Sequence, residues 1–364
     1  MDPRKTAILS LLERTKKIDG IPVDSATVLR FQARQRQAGR RVIEGPLGDI
    51  LDPSTFATVQ RAVSTGCYAH GLEMCVPVAG FGRILGEAVV CTLGTSDRDN
   101  TWGLDWAALW NLLVAYFDEF CDEYGSLLPV LLTRISHRTI KEALHPDGNR
   151  RIAPEPFDPV LLQFVLEIAD AVFSRFRSLA NRISGQDFRR LGKAIEMAYL
   201  AEINTAQLRF SDVRDPGDIH PLLRASGSLP VWILGYVTAL ASGFDPLPKR
   251  FDSCLEHIGD VLWLLDDLVD LEKDVETDCW NAIFLVAAER HGPSLIPKLR
   301  MLDPEDRLTW LYENGMPDAL ADRIFETLRL AIDSLGNTFG KGTPLASDLV
   351  STLWSFAHEM PDHN

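Results

Sequence analysis

An apolar run that leads directly into a cluster of acids, at residues 258–274, is the feature that most constrains this chain. Its first eight letters, IGDVLWLL, are apolar almost all the way round a helical wheel, which is typical of a buried helix. The acids Asp266, Asp270 and Asp274 follow at intervals of four. Helical residues at this spacing return to one face, with neighbouring side chains about 6 Å apart. We therefore predict a stripe of three carboxylates at the end of a buried helix.

Such a stripe needs a positively charged partner. Two unit charges about 6 Å apart repel by about 3 kcal/mol at an effective dielectric near 20, and burial increases this penalty. Buried carboxylates are either protonated or matched by a cation, and oxygen ligands alone favour a hard ion such as Mg²⁺. The sequence predicts a magnesium site, and the alternative is a solvated acidic face.

The charge of the chain is negative overall but uneven. At 364 residues and 46% apolar content it can bury a large core, and a net charge of −14 argues against nucleic acid as a partner. Residues 1–45 carry ten Lys or Arg against five Asp or Glu. We expect this segment to form a basic flap over the functional site, followed by one domain over residues 46–364.

The six cysteines have neither paired nor metal-ligand spacing, so we expect reduced thiols and a cytoplasmic protein. The N-terminal apolar run is too short and interrupted for an export signal. The most apolar stretch, residues 228–244, has 17 residues where about 20 are needed to cross a bilayer. We predict a buried core helix there and no transmembrane segment.

Apolar residues recur with a period near 3.6 along most of the chain, and alternating strand patterns are scarce. The sequence therefore predicts an all-α protein. Loop signals are strongest at residues 145–156 and 243–248, but composition does not change across either break. A single domain is the simpler interpretation.

A second acidic cluster, FDEFCDE at residues 117–123, follows another apolar run. Asp118 and Asp122 lie one turn apart, so both side chains can face one ion. Alone, this string is also compatible with an ordinary acidic helix end. Two such clusters with Mg²⁺ between them form a clamp for a diphosphate, because the ions neutralise the leaving group as its bond breaks.

Both clusters resemble motifs of the bacterial class I terpene synthases. The cluster at residues 117–123 resembles the family's aspartate-rich motif DDxxD, with Glu119 in second place. The string DDLVDLEKD resembles its second metal motif, with Asp266 in the first position, Asp270 where Ser or Thr is usual, Lys273 at the lysine and Asp274 replacing glutamate. The family often continues with Gly-Asp-x-x-Asn, and TDCWN at residues 277–281 keeps the Asp and the Asn.

The family also has an arginine that senses the diphosphate, followed by a helix break. Arg224 before the Gly-Ser-Leu-Pro of residues 227–230 resembles it, one residue short of the usual spacing, and Arg209, three residues before Asp212, is the reserve candidate. The chain departs from the family near its C-terminus. An Arg-Tyr pair usually follows a Trp there, but Met360-Pro361 stand at the positions after Trp354.

The resemblance implies a class I terpenoid synthase bundle around a deep apolar cavity. Three Mg²⁺ would bind a linear prenyl diphosphate, C15 or C20 favoured, and the allylic cation left by diphosphate loss would cyclise to a terpene hydrocarbon or alcohol. Aromatic faces would stabilise that cation. The predicted metal ligands are Asp118, Asp122, Asp266, Asp270 and Asp274. The predicted catalytic residues are Asp118, Arg224 and Lys273, and the predicted substrate contacts are Arg224, Arg209, Lys273, Phe117, Trp232, Trp263 and Trp354.

The expected oligomeric state is a homodimer. Two alternatives to the function of a terpene cyclase stay open. A chain-elongating prenyl diphosphate synthase shares the metal logic, but the Gly-Gly-Lys-Arg and Arg-Arg-Gly stretches typical of such enzymes are absent from this sequence. The departures at Glu119, Asp274 and the C-terminus keep open a non-catalytic homologue that acts as a helical partner subunit.

Overall fold

A computed structural model describes most of the chain. The residues it leaves undescribed are 1, 19, 22, 66–70, 95–100, 123–127, 147, 149–151, 153–159, 213–214, 245–246 and 360–364, together with the side chains of residues 122 and 357–359.

The described residues form nineteen α-helices and no strand, which confirms the all-α prediction. In chain order the helices are α1 (Pro3–Thr15), α2 (Ser25–Val42), α3 (Gly48–Ile50), α4 (Pro53–Thr65), α5 (Cys75–Leu93), α6 (Thr101–Asp122), α7 (Leu128–Arg134), α8 (His137–Leu144), α9 (Val160–Ser178), α10 (Gly185–Ala206), α11 (Pro216–Gly227), α12 (Leu229–Ala241), α13 (Lys249–Val269), α14 (Leu271–Glu276), α15 (Ala282–His291), α16 (Leu295–Arg300), α17 (Pro304–Glu313), α18 (Met316–Phe339) and α19 (Pro344–Glu359).

Four helices begin with an aspartate followed by proline. In α1, α4, α11 and α17, backbone N–H groups of the first turn donate to the side chains of Asp2, Asp52, Asp215 and Asp303. A proline at the first helical position costs the helix no hydrogen bond, since an N–H at this position would have no intrahelical partner. The same pair at residues 158–159 predicts the start of another helix, but it lies outside the described residues.

The chain divides into two compact units by its contacts. The first unit contains Met1–Val28, Leu200–Trp232 and Pro248–Asn364, and the second contains Leu29–Tyr199 and Ile233–Leu247. The boundary expected near residue 45 stays a prediction.

In the first unit, α13 packs along α18, which also contacts α1 and α15. The apolar run of α13 is buried as predicted, including Ile258, Val261 and Leu265. The N-terminal helix α1 buries Ala7, Ile8, Leu11 and Leu12 and packs against α18 and α19. The functional role expected for this segment, a flap, stays a prediction.

In the second unit, α6 packs between α5 and α9. The indole N–H of the fully buried Trp106 on α6 donates to the carbonyl of Val172 on α9 at 3.1 Å. Among the described residues one stretch, Leu72–Leu93, is long and apolar enough to cross a membrane, and 61% of an apolar 18-residue window within it is buried in the protein. This stretch, which includes α5, is therefore a longer apolar candidate than residues 228–244.

A close contact in the first unit joins α13 to the break between α11 and α12. A Cβ placed on Gly259 would lie 2.4 Å from the carbonyl oxygen of Ser228 and 2.7 Å from its hydroxyl. Both atoms belong to a buried residue at the break. Only a glycine at this position of α13 lets the two backbones approach so closely.

We expect Gly259→Ala to destabilise the protein by about 1–3 kcal/mol, because the added methyl group meets backbone that cannot move aside. Gly336→Ala is the matched control, since it lies in α18 with open space around its Cβ. It should stabilise by about 0.5–1 kcal/mol through helix propensity. Urea unfolding followed by circular dichroism measures both, and equal stability of the two variants would contradict the close contact.

Candidate metal and diphosphate site

The acidic stretch of the first unit lies where one helix ends and another begins. Helix α13 ends at Val269, and Asp270 has φ −89° and ψ 6° before α14 starts at Leu271. The stripe of three carboxylates, expected from a single helix, therefore spans the junction of two helices. The backbone N–H of Asp270 still donates to Asp266 and that of Asp274 to Asp270, each at 2.9 Å. The four-residue spacing thus survives the break.

Asp267 is a half-buried carboxylate of this stretch that the motif comparison does not single out. Its Oδ2 accepts the backbone N–H of Ala282 at 2.6 Å. Burial raises the pKa of Asp267 well above its ordinary value, and the nearby charge of Asp274, then those of Asp266 and Asp270, raises it further. The pKa of Asp270 is also raised by burial, against the opposing charges of Lys273 and Arg4. Negative charge is crowded here.

Asn281 ties this crowded stretch together. It is fully buried and donates both amide hydrogens, one to the backbone carbonyl of Asp267 at 2.6 Å and one to the carboxylate of Asp274 at 2.7 Å. Its Oδ1 accepts the N–H of Ile283 at 2.9 Å and so caps α15. The asparagine noted in the sequence only as part of a motif therefore orients a predicted metal ligand.

Asp278 closes the loop after α14 in an unusual backbone conformation, with φ +58°. Its carboxylate forms an ion pair with the buried Arg307 at 3.0 Å and accepts the N–H of Ser211 at 3.1 Å. These contacts lower its pKa, although burial opposes them.

The predicted ligands differ in exposure. Asp266 is exposed, Asp270 and Asp274 are half-buried, and the predicted phosphate contact Lys273 is exposed. Across the part of the chain that the structure describes, no three His, Cys, Asp or Glu side chains come together as a group that would hold a metal ion. The Asp266, Asp270 and Asp274 assignment stays a prediction, with Asp274 directed to Asn281.

Arg224, predicted to sense the diphosphate, forms a two-point ion pair with Asp260. Its Nε lies 2.7 Å from Oδ1 and its Nη2 3.0 Å from Oδ2, with Glu256 at 3.7 Å. The hydroxyl of Ser228 donates to the same Asp260 Oδ1 at 2.8 Å. Asp260 precedes Asp266 by six residues, so the two project from α13 about 120° apart. A cavity of about 250 Å³ opens beside Arg224 and Asp260.

The helix break expected after Arg224 is confirmed, since α11 ends at Gly227 and α12 begins at Leu229. A Cβ on Gly227 would lie 2.4 Å from Cδ1 of Trp263, so the indole ring packs directly on the break.

Arg209, the reserve sensor, is exposed and pairs through its backbone with Cys279. Its guanidinium donates to the carbonyl of Ala206 at 3.1 Å, and Asp212 accepts its backbone N–H at 3.1 Å. The predicted Arg209 and Asp212 pair is thus a backbone contact. The sensor role of either arginine stays a prediction.

The predicted aromatic liners are all buried. The indole N–H of Trp232 donates to Asp252 at 2.8 Å, and that of Trp354 donates to the hydroxyl of Thr15 at 3.0 Å. Phe117 packs on Tyr199 in the second unit, with ring centroids 5.6 Å apart. Their contact with a substrate stays a prediction.

The second acidic cluster ends α6 in the second unit. Phe117, Phe120 and Cys121 are buried, whereas Asp118 is exposed and Glu119 is half-buried. Asp118 therefore lies on the accessible side of a helix whose other faces are packed. Asp122 is the last residue of α6, and its side chain lies outside the described residues.

The chain has little similarity to known proteins. No family model and no curated protein matches the sequence. Among solved structures, the chain is similar to a linalool/nerolidol synthase from Streptomyces clavuligerus in complex with 2-fluorogeranyl diphosphate. The likeness covers 85% of this chain and 94% of that one, at 14% identity and a TM-score of 0.43. A terpene synthase is thus among the structures that the chain resembles, but so distant a likeness carries no argument about the site.

The raised pKa of Asp267 makes stability depend on pH. The folded state holds this proton more tightly than the unfolded state, so its contribution is present below the ordinary value of 3.8 and is lost as pH rises through the folded pKa. Asp267→Asn keeps an oxygen for the Ala282 N–H and cannot ionise. In metal-free buffer we expect this variant to be more stable than the wild type at pH 8, with the difference shrinking towards pH 4.

Urea unfolding at several pH values measures the effect, with EDTA present. Glu276→Gln, which removes an exposed carboxylate of the same stretch, should change stability little at any pH. A difference between Asp267→Asn and the wild type that does not vary with pH would contradict the raised pKa.

Proposed function

We propose that this chain is a Mg²⁺-dependent class I terpene cyclase. It would ionise a linear prenyl diphosphate, with C15 or C20 favoured, and cyclise the allylic cation to a terpene hydrocarbon or alcohol, releasing diphosphate. The observation that carries the proposal is the crowding of Asp266, Asp267, Asp270 and Asp274 at the end of a buried helix, where burial and mutual repulsion raise the pKa of Asp267. Such an excess of negative charge favours a bound cation.

The donor set fits magnesium. All its members are carboxylate oxygens, the ligands that this ion prefers, and Mg²⁺ usually keeps several waters and takes only one or two carboxylates from the protein. In the first unit the candidate ligands for Mg²⁺ are Asp266 and Asp270, with Asp274 held by Asn281. In the second unit the candidates are Asp118 and Asp122. When bound, Mg²⁺ neutralises the diphosphate as it leaves.

The side chains of the protein would bind and orient the substrate. Lys273, exposed between Asp270 and Asp274, would contact a phosphate oxygen. Arg224, or Arg209 in its place, would bind the diphosphate. Arg224 would keep its charge throughout, because its pairing with Asp260 raises its pKa.

A dry, aromatic wall would guide cyclisation. Trp263 lines the cavity beside Arg224. Together with Phe117, Trp232 and Trp354, it would contact the substrate and stabilise passing cations through its ring face.

The proposed location is the cytoplasm. The five described cysteines, Cys75, Cys91, Cys121, Cys254 and Cys279, are all free thiols, as expected in a reducing compartment.

Incubation of purified protein and Mg²⁺ with C10, C15, C20 and C25 prenyl diphosphates tests the activity, with mass spectrometry of the extract. Cyclic products from one of them support the proposal. A parallel set with isopentenyl diphosphate tests the alternative, and longer diphosphates there would indicate chain elongation. No turnover of any substrate would favour the non-catalytic helical subunit.

We expect Asp266→Asn and Asp118→Asn to lower kcat about 100-fold or more, since each removes a charge that would hold the ions stabilising the leaving group. Circular dichroism should show unchanged folding, because both side chains are exposed. Glu276→Gln is the control and should keep wild-type kcat. Full activity in both aspartate variants would remove the metal assignment.

Arg224→Gln should raise KM for the prenyl diphosphate and weaken inhibition by inorganic diphosphate about tenfold, the effect of losing one strong charge-assisted contact. Arg209→Gln is measured beside it. An effect confined to Arg209→Gln would shift the sensor role to that residue, and the Arg224 and Asp260 pair would then be purely structural.

A further inference from the structure

We propose that Arg4 is a positioning residue for the acidic stretch, through which the N-terminal helix α1 fixes the junction between α13 and α14 and thereby the place of Asp270. The part of this inference that concerns Mg²⁺ rests on the proposed function. The part that concerns the junction rests on the contacts of Arg4 alone.

Arg4 is buried, with 8% of its surface exposed, and its guanidinium is used on several sides. Its Nη2 lies 2.9 Å from Asp2 Oδ2 and 2.8 Å from Glu272 Oε2, and its Nη1 donates to the carbonyl of Val269 at 3.1 Å. Asp2 is the residue that caps α1, whereas Val269 and Glu272 stand on either side of the helix break. One side chain thus joins three points of the chain.

The contact with Val269 acts directly on the peptide unit that leads into Asp270. The N–H of that unit donates to Asp266 at 2.9 Å, and its carbonyl accepts from Arg4 at 3.1 Å. A rigid peptide plane held at both ends cannot rotate freely. Because carbonyls of a last helical turn lack intrahelical partners, a donor from elsewhere stabilises this end. The position of the Asp270 Cα follows from that plane.

Both carboxylate oxygens of Glu272 are used in the same network. Its Oε2 pairs with Arg4, and its Oε1 accepts the hydroxyl of Tyr312 on α17 at 2.7 Å. Helix α14 packs against α17 as well. Arg4 therefore neutralises a carboxylate that would otherwise add to the repulsion between Asp270 and Asp274.

Helix α1 does not depend on Arg4 for its own docking. Ala7, Ile8, Leu11 and Leu12 are buried, and the hydroxyl of Thr15 accepts the indole N–H of Trp354 at the other end of the helix. A substitution at Arg4 should loosen the junction and leave α1 in place. This separation makes the inference testable with an intact chain.

Hydrogen exchange of the metal-free protein tests the junction. In Arg4→Gln we expect the amides of residues 269–274 to exchange about tenfold faster, the change that follows from losing roughly one charge-assisted hydrogen bond. Arg14→Gln, on the same helix and in an ion pair with Asp322 at the surface, should exchange like the wild type there. Unchanged exchange at 269–274 in Arg4→Gln would overturn the inference, whatever the activity.

Calorimetric titration with Mg²⁺ alone tests the consequence for the metal. We expect the dissociation constant to rise about tenfold in Arg4→Gln and to stay unchanged in Arg14→Gln. Arg4→Lys keeps the charge but cannot reach Asp2, Val269 and Glu272 together, so it should resemble Arg4→Gln. Full recovery by lysine, or an unchanged constant in an active Arg4→Gln enzyme, would overturn the positioning role.

Hydrogen exchange and the titration with Mg²⁺ together distinguish failure of this inference from failure of the proposed function. A wild type that neither binds Mg²⁺ nor turns over a prenyl diphosphate would end the proposed function. Faster exchange in Arg4→Gln would still support Arg4 as the residue that holds the junction.

Discussion

Repulsion among carboxylates at one helix junction is the constraint on which the proposed site depends. Asp266, Asp267, Asp270 and Asp274 lie within nine residues, and the structure responds with several compensations. Asp267 accepts the Ala282 N–H, Asp274 accepts from Asn281, and Arg4 neutralises Glu272. Burial, and after it the nearby charge of Asp274, still raises the pKa of Asp267 well above its ordinary value. A residual demand for positive charge is what a binding site for a divalent ion requires.

At the junction between α13 and α14, the supporting residues are hydrogen-bonded, whereas the residues that would bind the ion and the diphosphate are accessible to solvent. Asn281 is fully buried with its amide hydrogens and its oxygen all in hydrogen bonds, and Val269 is fixed by Arg4. Asp266 and Lys273, by contrast, are exposed. Around metal centres, hydrogen bonds from neighbouring residues commonly orient the side chains that bind the ion.

Helical periodicity was sufficient to predict the all-α class and the burial of α13, whereas the break after Arg224 was predicted from the family resemblance. The break at Asp270 could not be predicted, because DLVDLE contains neither glycine nor proline and continues the helical pattern. The division between α7 and α8, by contrast, has a local signal, since Ser136 is of a type that commonly caps helices and accepts the N–H of Thr139. The role of Asp267 depends on the N–H of Ala282, and that of Arg4 on a carbonyl 265 residues away, so neither follows from local sequence.

The conformation of Asp278 has a consequence for any effort to raise the thermal stability of this protein. A left-handed aspartate invites replacement by glycine or asparagine, which tolerate that geometry better. Glycine would leave the guanidinium of Arg307 buried without its carboxylate, and asparagine would offer it only a neutral oxygen. Rules based on backbone preference alone would therefore choose the wrong mutation at this loop. The ion pair of Asp278 with Arg307 stabilises the protein by more than the left-handed backbone destabilises it.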